Sequence, residues 1–173
     1  MPTKRVVDAR IGILKQIGET PGIRYRQLLR LTGLSNGTLE YHLRILEKTR
    51  KVRVDISDGK RGRYYPVDIL ENETNIVGFI RNNVSRQIVT FILEHEHCTF
   101  GEIQEHIKKA PSTLSLHLKR LSKAAIISVA YGEEYQLYQV SNSKFVEEIL
   151  CKYGESFRAQ VANRYYQIFA LTL

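Results

Sequence analysis

Residues 33–52 read GLSNGTLEYHLRILEKTRKV, and residues 110–127 read APSTLSLHLKRLSKAAII. Inside them TLEYHLRIL (38–46) and TLSLHLKRL (113–121) share five of nine residues at an offset of 75: Thr, Leu, His, Leu and the final Leu. A fixed internal period means that one structural unit is used more than once, so it has to be settled before any element is assigned. Upstream the same offset places Ile23, Tyr25, Gln27 and Leu28 on Cys98, Phe100, Glu102 and Ile103. Further upstream the reading is an offset of 77, with Ile11 and Leu14 on Ile88 and Phe91, and with Glu19-Thr20-Pro21-Gly22 absorbing two extra residues. Downstream, YYPV (64–67) meets LYQV (137–140) at an offset of 73. Two copies of one unit account for most of the chain.

Each copy follows one grammar. Val7, Ile11, Leu14 and Ile17 have the spacing of an amphipathic helix, echoed by Ile88, Phe91 or Ile92, and His95. Pro21-Gly22 stops the first of these helices. A short helix follows, carrying Tyr25, Leu28, Leu29 and Leu31, or Phe100, Ile103 and Ile107. In the next turn Gly33 suits a left-handed helix end, Ser35 an N-cap, and Pro111 a first helical position. Leu39, Leu43 and Leu46, matched by Leu114, Leu118 and Leu121, make the apolar stripe of a third helix. The period then drops to two in KVRVDIS (51–57), with Val52, Val54 and Ile56 alternating against Lys51, Arg53 and Asp55. Copy two has Ile126, Ile127 and Val129 there. The turns DGKRG (58–62) and YGEE (131–134) lead into RYYPV and YQLYQV, which makes hairpins.

Helix, helix, turn, helix, hairpin is the order of a winged helix-turn-helix. GLSNGTLEYHLRILEKTRKV resembles the recognition helix, turn and first wing strand of ArsR- and MarR-type regulators, and APSTLSLHLKRLSKAAII is similar. Thr49-Arg50-Lys51 depart from the small residues usual before that strand. The resemblance implies a tandem winged-helix regulator of archaeal type. Archaellum-operon regulators are one such group, though no residue quoted selects them. The expected fold is mainly α with small β-hairpin wings: 1–68 and 84–141 as winged domains, 69–83 as a partly helical linker, and 142–173 as a C-terminal helical segment broken near Gly154.

Charge says where a partner would sit. Residues 1–70 carry 15 Lys and Arg against 7 Asp and Glu, whereas 71–173 carry 11 of each, so the whole net +8 belongs to the first copy. A double-stranded nucleic acid is the natural partner for such asymmetry; a solvated basic face is the plainer alternative. A helix fits the major groove, where base edges are distinguishable. In that setting Asn36, Gly37, Thr38, Tyr41, His42 and Arg44 form the expected reading face of 36–48, with Glu40 at its margin. Lys60, Arg61 and Arg63 on the first wing are suited to phosphates or a minor groove, and Arg26 to a flanking phosphate. For copy two, whose wing tip is acidic (Glu133, Glu134), weaker contacts are expected from Ser112, Thr113, Ser115, His117, Lys119 and Arg120. That copy has packing against protein as its alternative role.

Other classes recede. No phosphate-binding glycine loop, HExxH or GxSxG occurs, so an enzyme is not expected. His95-Glu96-His97-Cys98, with His106, lacks paired metal-ligand spacing; a turn explains it better, and neither metal nor cofactor is expected. Cys98 and Cys151 read as buried small hydrophobes. Two cysteines, no apolar leader and no ~18-residue uncharged run point to a cytoplasmic protein that does not span a membrane. In the tail, Phe157, Val161, Tyr165, Ile168 and Phe169 form an apolar stripe that either packs on the second winged domain or pairs with a second subunit, the homodimer being the favoured expectation. A tandem winged-helix scaffold acting through protein contacts is the competing function. Activator or repressor, and any effector, stay open.

Overall fold

The structure, a computed structural model, describes residues 4–56, 62–132 and 135–170, with side chains from residue 8 to residue 156. The described residues form α1 (Lys4–Glu19), β1 (Ile23–Arg24), α2 (Tyr25–Thr32), α3 (Asn36–Lys48), β2 (Val52–Asp55) and β3 (Arg63–Pro66). There follow α4 (Glu71–Ile80), α5 (Asn83–His95), β4 (Cys98–Thr99), α6 (Phe100–Ile107), α7 (Pro111–Lys123), β5 (Ile127–Tyr131), β6 (Gln136–Val140) and α8 (Ser143–Ala170). Helices dominate and the strands are short, which is the expected mainly α class with hairpin wings. The chain divides into one unit of residues up to Thr74 together with those from Ser156, and a second unit, Asn75–Glu155.

In the first unit, α1, α2 and α3 close on a core of Ile13, Ile17, Ile23, Leu28, Leu39, Leu43, Leu46 and Val52. The buried stripe of α1 is therefore Ile13–Ile17, while Ile11 is 58% exposed. Of the Val7–Ile11–Leu14–Ile17 stripe read from the sequence, Ile17 is buried and Leu14 packs against the core, whereas Ile11 is replaced by Ile13; the side chain of Val7 lies outside the described ones. A three-stranded antiparallel sheet in the order β1-β3-β2 backs this core. The two-residue strand β1 pairs Ile23 with Tyr64 and Arg24 with Arg63. Two residues are too few to show a period, so β1 was not legible beforehand. In β2 the alternation dies out: Val52 is buried and Ile56, beyond the strand, is 67% exposed.

The second unit repeats this build. Its sheet runs β4-β6-β5, with Cys98 opposite Tyr138 and Val129 opposite Tyr138 on the other side. Ile88, Ile92, Cys98, Ile103, Leu114, Leu118, Leu121 and Ile127 are buried, each 75 residues beyond a buried member of the first core. Backbone geometry repeats too. Left-handed Gly33 (φ 64°) and Arg50 (φ 54°) recur as Lys108 (φ 51°) and Ala125 (φ 55°). An offset of 75 thus holds from the first helix to the first wing strand, and the offset of 77 upstream is corrected. The hairpins depart from that offset, Tyr65 matching Tyr138, and so does the turn before the first strand, where positive-φ Gly22 is answered by Glu96.

Two further readings change. Cys98 is buried, but Cys151 is exposed, because it lies two residues past Ile149 and so nearly opposite the Val146–Ile149 stripe that faces inward. And α8 runs unbroken through Gly154, whose single residue costs only about 1 kcal/mol in a long helix. Within 69–83, Ile76, Val77 and Ile80 of α4 are buried.

Candidate nucleic-acid interface

The side chains of α3 are set by three local devices. The Ser35 hydroxyl caps the helix, accepting from the Thr38 N–H at 3.3 Å and sharing a hydrogen bond with Thr38 Oγ1 at 2.7 Å. The Tyr25 hydroxyl, at the start of α2, donates a bifurcated bond to the backbone O (2.9 Å) and side-chain Oδ1 (2.7 Å) of Asn36. Arg44 Nη2 donates to Glu40 Oε1 at 2.7 Å, one helical turn back. Leu39, Leu43 and Leu46 bury the opposite face. Asn36, Gly37, Thr38, Glu40, Tyr41 and Arg44 consequently stand together in solvent. Burial, then the charge of Glu40, pushes the Tyr25 phenol above its ordinary pKa, so it remains a proton donor at neutral pH.

His42 leaves this group. It is 3% exposed, and its Nδ1 accepts from Arg10 Nε at 3.4 Å. Burial, then the charge of Arg10, lowers its pKa and keeps the ring neutral. The expected DNA contact of His42 is corrected to a tie between α1 and α3. His117 repeats it: Ser85 Oγ lies 2.9 Å from its Nδ1, and both pairs are 32 residues apart. His117 is half-buried by that tie rather than presented with Ser112, Ser115, Lys119 and Arg120, which are exposed; Thr113 is half-buried.

The wing divides as well. Arg63 is 5% exposed and its Nη1 donates to the carbonyl of Gly22 at 2.9 Å. Gly22 has φ 78°, and its N–H donates to the Tyr64 carbonyl at 2.9 Å. Arg63 therefore staples β3 to the turn before β1, and its expected role on phosphate is corrected. Register explains the error: in a wing of charged residues, sequence cannot tell which cation points inward. Lys60 and Arg61 lie outside the described residues. Arg26 is exposed on α2. Sequence reasoning missed Tyr25, although copy two offered a signal, since Phe100 at the matching position has no hydroxyl.

Outside α3 little else gathers chemistry. Phe91 is flanked by the rings of His95 and His106, each at 4.3 Å between centroids. No three His, Cys, Asp or Glu side chains among the described residues are placed to hold a metal. No helix among them is long and apolar enough to cross a membrane.

Residues 7–77 match the family profile described as an N-terminal HTH domain, and residues 84–129 match that of the bacterial regulatory proteins of the arsR family. Each match falls on one structural copy, the second ending within β5. The chain is a tandem winged helix-turn-helix protein. This tandem protein is 25% identical over 136 residues to the uncharacterized HTH-type transcriptional regulator MJ1398 of Methanocaldococcus jannaschii, covering 79% of the chain. It spans only 34% of that relative's length. Among solved structures, the transcriptional repressor BigR of Xylella fastidiosa matches at 20% identity and a TM-score of 0.41, over 46% of this chain and 81% of BigR. A transcriptional regulator homologue of Pyrococcus horikoshii matches at 18% and 0.41, over 54% of this chain and 97% of its own. Likenesses at that level add nothing to the topology described above.

Proposed function

We propose that this tandem winged-helix protein is a sequence-specific double-stranded DNA-binding regulator of transcription. The observation that carries the reading is the outward face of α3: Asn36, Gly37, Thr38, Tyr41 and Arg44 are exposed on a capped helix whose other face is core. A helix so mounted has the width of a major groove and the donors to read its edges. Lys60 and Arg61, which the sequence puts between β2 and β3, together with Arg26, supply phosphate contacts. Lys119 and Arg120 give copy two a weaker share of the backbone. The profile matches, to an HTH domain and to the bacterial regulatory proteins of the arsR family, support this reading.

A salt-titrated anisotropy assay with a selected and a scrambled duplex tests it. Wild type is expected to prefer the selected duplex, with affinity falling steeply in salt. Arg44→Ala is expected to lose about tenfold on the selected duplex and much less on the scrambled one, since a bidentate base contact is worth about 1–3 kcal/mol. Equal loss on both duplexes would mean that α3 does not read bases.

The protein acts, on this reading, as a homodimer joined through its tail, where Phe157, Val161, Tyr165, Ile168 and Phe169 line up at helical spacing. Two-fold symmetry suits paired half-sites. Light scattering on a chain ending near Glu155, which keeps the buried Val146 and Ile149, is expected to report a monomer where the full chain reports a dimer; an unchanged dimer removes the tail from the interface.

A further inference from the structure

The two outward donors of α3 are not loose. Asn36 is held by the phenol of Tyr25 at 2.7 Å, and Arg44 by the carboxylate of Glu40 at 2.7 Å. Neither contact is explained by stability. The Glu40–Arg44 pair is largely exposed, 51% and 78%, and pairs of that kind contribute little. A carboxylate on a face turned toward phosphates is moreover a repulsive charge, so it lowers general affinity for DNA. What each contact does accomplish is orientation. With Oδ1 tied to Tyr25, the plane of the Asn36 amide is set and its Nδ2 hydrogens remain donors for a base. Oδ1 keeps a second lone pair for an incoming N–H. With one Nη2 hydrogen on Glu40, the guanidinium of Arg44 is fixed in plane and still offers a forked pair of N–H groups. Donors fixed before binding lose less conformational freedom on binding.

The second copy is an internal control. At the offset of 75, Tyr25, Asn36, Glu40 and Arg44 become Phe100, Pro111, Ser115 and Lys119. The hydroxyl, the amide, the carboxylate and the fork all vanish together, although the helices that carried them match residue for residue in length. The flanking cations Arg24, Arg26 and Arg30 become Thr99, Gly101 and Glu105. Copy two retains exposed Lys108, Lys109, Lys119 and Lys123, whose ammonium groups are point charges suited to phosphate, while its exposed guanidinium on α7, Arg120, stands where copy one has Ile45, away from the positions of Asn36 and Arg44.

We infer that Tyr25 and Glu40 are positioning residues for a two-point base reader, Asn36 on an adenine and Arg44 on a guanine, and that base reading is confined to the first copy. This rests on the DNA-binding function proposed above. Asn pairs with adenine N6 and N7, and Arg with guanine O6 and N7. Eight residues of helix place the two readers about 12 Å apart along the axis, the length of roughly three to four base pairs.

The full chain is used to select its preferred duplex from a randomised library. Anisotropy then gives the ratio of affinities for selected and scrambled duplexes. Glu40→Gln is expected to lower that ratio about fivefold while raising affinity for the scrambled duplex, and Tyr25→Phe to lower it about threefold. Replacing the guanine by 7-deazaguanine, which lacks the N7 acceptor, is expected to weaken wild type about tenfold and Arg44→Ala hardly at all. Lys119→Ala is expected to weaken both duplexes alike. Circular dichroism of each variant should match wild type, which separates positioning from folding. An unchanged ratio in Glu40→Gln and Tyr25→Phe overturns the positioning roles. A ratio that falls as far in Lys119→Ala as in Arg44→Ala overturns the confinement to copy one. If wild type prefers no duplex at all, the function itself fails and this inference falls with it.

Discussion

Arg63→Glu is expected to unfold the first winged domain, with loss of DNA binding as a consequence rather than the primary effect. The guanidinium is 5% exposed and its Nη1 donates to the Gly22 carbonyl, closing the turn that positions β1 against β3. Glutamate there is a buried anion that can donate nothing to that carbonyl. Removing one member of a buried charged contact costs about 3 to 5 kcal/mol, and an abandoned acceptor adds about 1 to 3. A small domain has only about 5 to 15 kcal/mol in all. Urea unfolding followed by far-ultraviolet circular dichroism is the measurement. A shift of about 1 M or more in midpoint, or helix already lost without urea, is expected for Arg63→Glu. Arg63→Met, which keeps much of the apolar packing but also abandons the Gly22 carbonyl, is expected to cost about 1 to 3 kcal/mol, less than the buried anion of Arg63→Glu. A variant with the wild-type midpoint but weakened DNA binding would return Arg63 to the solvent-facing wing.

The contrast between Arg63 and its neighbours shows what the amino-acid sequence does and does not reveal. The repeat was legible because Leu39, Leu43 and Leu46 and their counterparts Leu114, Leu118 and Leu121 are long apolar side chains at helical spacing. Caps were legible for the same local reason: Ser35 and Gly33 act through backbone groups within a few residues. Direction was not. Ile11 and Ile13 are both isoleucines on one helix, and only the neighbouring helices decide that Ile13 is buried and Ile11 is not. His42 and Arg44 are both polar and two residues apart, so nearly opposite on a helix. Which of them faces in depends on Arg10, 32 residues away from His42. Of the reading face expected from the sequence, Asn36, Gly37, Thr38, Tyr41 and Arg44 stand exposed. Those that moved inward, His42 and Arg63, are the ones with long-range hydrogen-bond partners. A polar side chain that finds such a partner ceases to be surface, and no local period records that.

The second large effect is expected from the wing tip. With Arg63 assigned to the fold, Lys60 and Arg61, between β2 and β3, are the cations left of the three that the sequence assigned to phosphate on that wing. Lys60→Glu combined with Arg61→Glu replaces two attractions by two repulsions at the phosphate backbone. Each phosphate contact releases close to one counterion, so losing two should reduce the slope of log affinity against log salt by about 1.8. At moderate ionic strength the accompanying loss should be about a hundredfold. It should fall equally on selected and scrambled duplexes, because a phosphate carries no sequence information. Circular dichroism should stay at the wild-type value, in contrast to Arg63→Glu. Anisotropy over a salt series distinguishes the outcomes. An unaltered slope would mean that the hairpin does not meet the backbone. A loss confined to duplexes with A-tracts would place it in a narrow minor groove, where the deep negative potential of such sequences attracts arginine. Parallel weakening on every duplex would leave base reading to α3 alone, with the wing setting how long the protein stays on DNA and the helix deciding where.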